Sequence, residues 1–252
     1  MSTTSTRSAS SAILTSEARL LLREPGVIFW VLAFPTLLLV VLGLIPSFRD
    51  AQSDLGGQRV VDLYVPVAVL LGMIMAALQA LPHGLSSYRE RGILRRLRVT
   101  PVRPAHLLAA QIAVYAAASS VSALVVLAVG KLGYGVDLPD NALGYIVAFV
   151  LAMTGALALG ATLAAIAPTT RATAAISSCV FFPTMFTAGV WMPVQTMPGM
   201  LRTIVESTPM GAGANALNTA AVGGTPEVVD LAVVIGWSIV FIALAVRLFR
   251  WE

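Results

Sequence analysis

The chain has 252 residues, of which 58% are apolar and only 11% charged. A typical soluble domain carries about 25% charged residues, so this composition excludes an ordinary soluble fold. The formal net charge is +4 and the isoelectric point is near 9.7, but the basic residues sort by alternate loops rather than forming one nucleic-acid-binding patch.

The first 24 residues are polar and begin Ser/Thr-rich. The first apolar run starts only at Val27 and no small-x-small cleavage site follows a short core, so no removable signal peptide is expected. Ile13, Leu14, Ala18, Leu21 and Leu22 share one helical face, with Ser16, Arg19 and Arg23 on another. That pattern predicts an amphipathic helix lying along the membrane interface and stopped by Pro25. A disordered tail to residue 12 followed by an ordinary helix start fits the same residues.

Six apolar runs follow: 27–45, interrupted by Pro35; 61–81, ending at Pro82; 107–130; 142–167, ending at Pro168; 172–190; and 231–246, between Asp230 and Arg247. Most approach the length of about 20 residues that a spanning helix needs. The expected fold is therefore all-α, a polytopic integral membrane protein with six transmembrane helices. Asp62 stands at a span edge, and the spans are otherwise almost free of ionisable groups. Run three has Ala109, Ala113 and Ala117, and run four has Ala148, Ala152, Ala156, Gly160 and Ala164. Small residues four apart let helices approach closely, within the chain or between subunits. The single cysteine, Cys179, permits no intrachain disulfide and is expected to be a small packed residue.

Between runs two and three, residues 88–104 read YRERGILRRLRVTPVRP, with six arginines and one glutamate. Burying six arginines at mid-membrane would cost on the order of 15–20 kcal/mol, so this stretch lies in water or against a soluble partner. The N-terminal segment, the 82–106 loop, the 168–171 turn and the C-terminus together hold twelve of the sixteen Lys/Arg and four of the twelve acids. By the positive-inside rule that side is cytoplasmic, and six spans put both termini there. Between runs five and six, the segment 189–224 is rich in Gly and carries Pro193, Pro198 and Pro209. It is too apolar for a free loop and too broken to span, which predicts short outer re-entrant helices shielded by protein. Arg202 and Glu206, four apart, can pair there. One transmembrane domain over 1–252 results. It has a cytoplasmic tail and amphipathic helix at 1–25, a cytoplasmic loop at 84–106 and an external re-entrant segment at 189–229.

No phosphate-cradling G-x-x-x-x-G-K-[ST] occurs, since Gly130-Lys131 is followed by Leu132. His83 and His106 have no metal-ligand partners at useful spacing, and no Ser-His-Asp or H-E-x-x-H arrangement is present. No catalytic site, cofactor or metal is expected in this chain. Spans so poor in Asp, Glu and His also argue against ion coupling, so the energy for any transport enters from outside.

Two motifs carry a family resemblance. After run two stand Glu90, Gly92, Ile93, Leu94, Leu97, Thr100 and Pro101, close to the pattern E-x-G-[TI]-L-x-x-L-x-x-[ST]-P. After run five stand Gly189, Pro193, Pro198, Leu201 and Pro209. With six spans and a broken outer segment, the chain resembles the ABC-2 type exporter permeases, especially their daunorubicin or antibiotic-resistance branch. One departure is Arg95, where the family often has an acid.

The resemblance implies a permease dimer, homo- or heteromeric, working with two copies of a separate ABC ATP-binding subunit that holds Mg-ATP. It places the chain in a bacterial plasma membrane, in contact with lipid and not with nucleic acid. It makes the basic loop a coupling helix seated in the ATPase, with Glu90, Arg91, Gly92, Ile93, Leu94, Arg95, Leu97, Arg98, Thr100 and Pro101 as its contact residues. The expected function is export of an amphipathic drug, natural product or lipid-like molecule, with Phe181, Phe182, Met185, Phe186 and Met192 as the candidate substrate path. Two alternatives stay open, export of a lipid-linked glycan and a membrane scaffold or sensor without a transport cycle.

Overall fold

The computed structural model describes residues 3–52, 55, 57–93 and 104–248. Among them the helices are α1 (Thr3–Leu22), α2 (Pro25–Gly43), α3 (Val60–Glu90), α4 (Pro104–Tyr134), α5 (Ala142–Ile166), α6 (Thr170–Thr187), α7 (Gly199–Glu206), α8 (Pro209–Ala221) and α9 (Val228–Leu248). No strand occurs among the described residues, only an isolated bridge between Ala51 and Arg59. The protein is an all-α polytopic membrane protein. Of the described helices five, namely α2, α3, nearly all of α4, α5 and α9, are long and apolar enough to cross a membrane. The predicted fifth run is α6, an 18-residue helix outside that set. Its four threonines and serines before Thr184, together with Arg171, dilute its apolar content.

α3 is the hub. Its apolar window is 89% buried, against 17% for α9 at the periphery. Pro82 does not end it, contrary to the sequence expectation. A proline in a helix lacks an N–H and presses its ring on the carbonyl four residues back. Here a π-helical turn, Met75–Ala80, widens the helix just before Pro82 and lets it run on to Glu90. The first part of the predicted 84–106 loop is therefore helix. α2 uses the same device, with a π turn at Phe29–Ala33 ahead of Pro35. The carbonyl that Pro35 leaves without its donor, that of Val31, accepts from Ser122 Oγ of α4 at 2.7 Å. Lipid offers no such donor, so a neighbouring helix must.

The small residues of α5 work inside the chain. Ala148, Ala152, Ala156, Gly160 and Ala164 are all buried. A Cβ on Gly160 would lie 2.0 Å from the Ala77 carbonyl oxygen, so α5 crosses the α3 π turn at backbone contact. Near the same face, a Cβ on Gly213 of α8 would meet Ala152 at 3.3 Å. The alanines of α4 behave otherwise. Ala109, Ala113 and Ala117 face outward, because α4 turns Gln111, Ser119 and Ser122 toward its neighbours instead. Cys179 is also exposed, on the outer face of α6, rather than packed.

Two ends of the bundle can be told apart. At one, Arg59 pairs with Asp62 at 2.6 Å and donates to the Tyr134 and Gly135 carbonyls, satisfying the last turn of α4. Also there, the Asp140 and Asn141 amides bond to the Ala221 and Ala220 carbonyls. α8 reaches from Ala152, well inside α5, to this end. Arg202 and Glu206 pair on α7 as expected, at 2.7 Å. α9 runs alongside α5 in the same direction, with Pro226 beside Gly144 and Thr162 Oγ1 donating to the Phe241 carbonyl at 2.9 Å. The last helix has 21 residues, longer than the sixteen drawn from sequence, because it takes Asp230 inside. Asp230 is 5% exposed and accepts from Asn215 Nδ2 at 2.9 Å, which removes the need to end the span before it.

Candidate coupling surface and aromatic pocket

At the other end α1, the end of α3 and the α5–α6 turn meet. α1 does form over the predicted amphipathic stretch, but it does not turn a purely apolar face inward. Among its described side chains Glu17 is the buried one, while Leu14 and Leu22 are exposed and Leu21 packs on the core. Tyr88 donates to Glu17 Oε1 at 2.9 Å and Gln111 Nε2 to Oε2 at 3.2 Å. Burial raises the Glu17 pKa above its usual value, the two hydrogen bonds oppose that rise, and the nearby Glu24 charge adds to it.

The last residues of α3 clamp the α5–α6 turn from both sides. Arg89 donates from Nη1 to the Ala167 carbonyl at 2.7 Å and from Nη2 to the Ala164 carbonyl at 2.9 Å, meeting the negative end of α5. Glu90 accepts from the Thr170 amide at 2.8 Å and from its hydroxyl at 3.0 Å, meeting the positive end of α6. Ser86 and Thr173 share a further 2.5 Å hydrogen bond between the same helices. Gly92 follows with φ +67°, the left-handed conformation that ends a helix and that glycine adopts without strain. In the Glu-x-Gly element, then, the glutamate ties α3 to α6 and the glycine stops α3. Glu90, predicted as a partner contact, is engaged within the chain. Arg91 is exposed and Ile93 half-buried. Leu94, Arg95, Leu97, Arg98, Thr100 and Pro101 lie outside the described residues.

α6 leads from this clamp to an apolar pocket of about 450 Å³, shared with α2 and α3. Phe181, Phe182 and Met185 line it, as the sequence suggested, and so do Trp30, Phe34, Met75, Gln79 and Trp191. Phe186 and Met192 do not line it. Phe186 tilts against Trp191 with ring centroids 6.4 Å apart, and Met192 packs on the core. The Phe182 and Trp191 rings are nearly parallel at 6.3 Å, and Trp30 meets Phe34 at 5.0 Å. Trp30, Phe182 and Trp191 are each about half exposed, so the pocket opens sideways out of the monomer. Trp30 and Trp191 escaped the sequence search because they stand 161 positions apart, one at the start of the first span and one past the fifth.

No curated protein sequence matches the chain. A family model described as ABC-2 type transporter matches residues 9–220, which takes in most of α1, the clamp, the aromatic pocket and nearly all of α8. The chain accordingly belongs to the ABC-2 type transporter family, as the membrane permease component of an ABC transporter, a family whose permeases pair with an ATP-binding subunit.

Proposed function

We propose that this permease is the membrane half of an ATP-driven exporter for amphipathic compounds, drug-like, natural-product or lipid-like. Two copies would assemble with two ATP-binding subunits, which hold Mg-ATP and dock on residues 91–101. The single observation that carries this is the Glu90–Thr170 link. It joins the end of the basic loop to α6, the helix that supplies Phe181, Phe182 and Met185 to the aromatic pocket. A displacement of the loop by the ATPase is thereby delivered to a pocket wall. Aromatic and methionine side chains make an adaptable apolar surface. Of the pocket residues only Gln79 carries an amide, which favours an amphiphile over a lipid-linked glycan. The open side of the pocket suits closure by a second permease copy, and the basic end carrying the N-terminal helix is the cytoplasmic one. By this account the membrane is the bacterial plasma membrane.

The test is ATP-dependent accumulation of an amphipathic fluorescent dye in inside-out vesicles holding the assembled complex. Phe182→Ala and Trp191→Ala should each lower the initial rate at least fivefold with the amount of complex unchanged. Leu94→Asp with Leu97→Asp should leave the permease inserted but free of ATPase on purification. Full dye transport by both aromatic variants would remove the pocket from the path.

A further inference from the structure

A second cavity, of about 370 Å³, lies among α1, α3 and α4 and adjoins the aromatic pocket at Gln79. Its wall contains the buried Glu17 and, at the rim, Glu24. It also contains Gln111, which is 2% exposed and whose Oε1 is shut off from solvent with no hydrogen-bond partner. The amide orientation is not arbitrary, because only the NH2 side can face the Glu17 carboxylate. His83 lines the same cavity, and its Nδ1 is likewise buried and unpartnered. A buried acceptor left without a donor costs about 1–3 kcal/mol. Gln111 Oε1 can only accept, so its missing partner is a donor, and His83 Nδ1 accepts from the same donor when its proton sits on Nε2.

Charge points the same way. Glu17 has two hydrogen bonds, which leaves acceptor capacity on a carboxylate with about four lone-pair sites. Apart from His83, among the described residues the one lining residue able to carry positive charge is Arg91, which is exposed. Leu21, Val27 and Val114 supply apolar wall, and the Tyr115 ring a face on which a cation can rest. Gly84 keeps the space open beside the polar atoms. A Cβ there would lie 3.5 Å from Gln111 Nε2 and from Tyr115 Oη.

We propose that this cavity binds a primary ammonium group carried on an apolar stem, with Glu17 as counter-ion and Gln111 Oε1 as an accepting partner. The ammonium donates to Glu17, Gln111 and His83, and the stem follows the apolar wall toward Gln79. Two sources offer this chemistry, a free amphipathic amine and the headgroup of an ethanolamine lipid. The inference concerns binding alone and does not rest on export.

The experiment is calorimetric binding of 2-phenylethylammonium to the full chain in phosphatidylcholine nanodiscs. Saturable binding is expected, weakened at least tenfold in Glu17→Gln and severalfold in Gly84→Ala, with 2-phenylethanol failing to compete. Gly84→Ala meets only ordinary contacts in a helix and should melt no lower than wild type, so its loss of binding is not loss of fold. Adding phosphatidylethanolamine to the nanodiscs separates the sources. Competition by the lipid identifies the headgroup as occupant, and unchanged binding identifies a free amine. Equal competition by the alcohol, wild-type affinity in Glu17→Gln, or no saturable binding would overturn the proposal.

Discussion

Glu17 sets the strength with which α1 holds to the bundle. Its neighbours are Tyr88, Gln111 and Glu24, with His83, Arg91 and Tyr115 on the same cavity wall. Burial raises its pKa from the usual 4.5, so in the range between the two pKa values the folded protein keeps a larger protonated fraction there than the unfolded chain does. That contribution to docking is full at acid pH and is lost as pH rises through the raised pKa. Hydrogen exchange of α1 amides should therefore speed up as pH rises above the ordinary carboxylate range, beyond the intrinsic base-catalysed increase. Glu17→Gln should abolish the excess, and an equal excess in that variant would assign the effect elsewhere. The role of Glu17 was not legible in sequence, since its partners stand 71 and 94 positions away. Glu90 was legible as part of a motif, but its bond to Thr170, 80 positions on, was not.

Spanning helices were legible because lipid demands long apolar runs, and the α5 small-residue stripe because close helix contact demands small side chains. Their ends were less so. Pro82 reads as a stop, yet the π turn before it absorbs the proline, and nothing in composition marks a π turn. Asp230 reads as a boundary, yet Asn215 on α8 satisfies it within the helix. The α4 alanines share the four-residue spacing of those in α5 but face outward, since spacing alone does not say which face meets a neighbour. The α3–α5 crossing supplies a direct stability prediction. Gly160→Ala drives a Cβ onto the Ala77 carbonyl and should cost about 3 kcal/mol, at the upper end for overpacking. Gly155→Ala meets side-chain atoms rather than backbone, the Ser238 hydroxyl at 3.0 Å and Val234 Cγ1 at 3.9 Å, and should cost less. Thermal melting of the purified protein compares the two, and equal melting points would contradict backbone contact at Gly160.

Across the whole molecule, the parallel course of α5 and α9 returns the chain to the end where α1 lies. α3 runs through the centre, buried along nearly its whole length, and ends in Arg89 and Glu90 gripping the α5–α6 turn. The central claim is that this grip carries motion from the basic loop to α6 and its aromatic pocket. Removing one charge from it should break transmission without breaking assembly. Glu90→Gln weakens a charged interaction at an exposed helix N-terminus, worth about 0.3–1 kcal/mol, and leaves the apolar packing of α3 intact. The decisive measurement is the ratio of dye transported to ATP hydrolysed by the reconstituted complex, wild type against Glu90→Gln. The expected result is ATP hydrolysis within about twofold of wild type and transport per ATP severalfold lower, at about 1.4 kcal/mol per decade. An unchanged ratio, with both activities kept or both lost together, would contradict it.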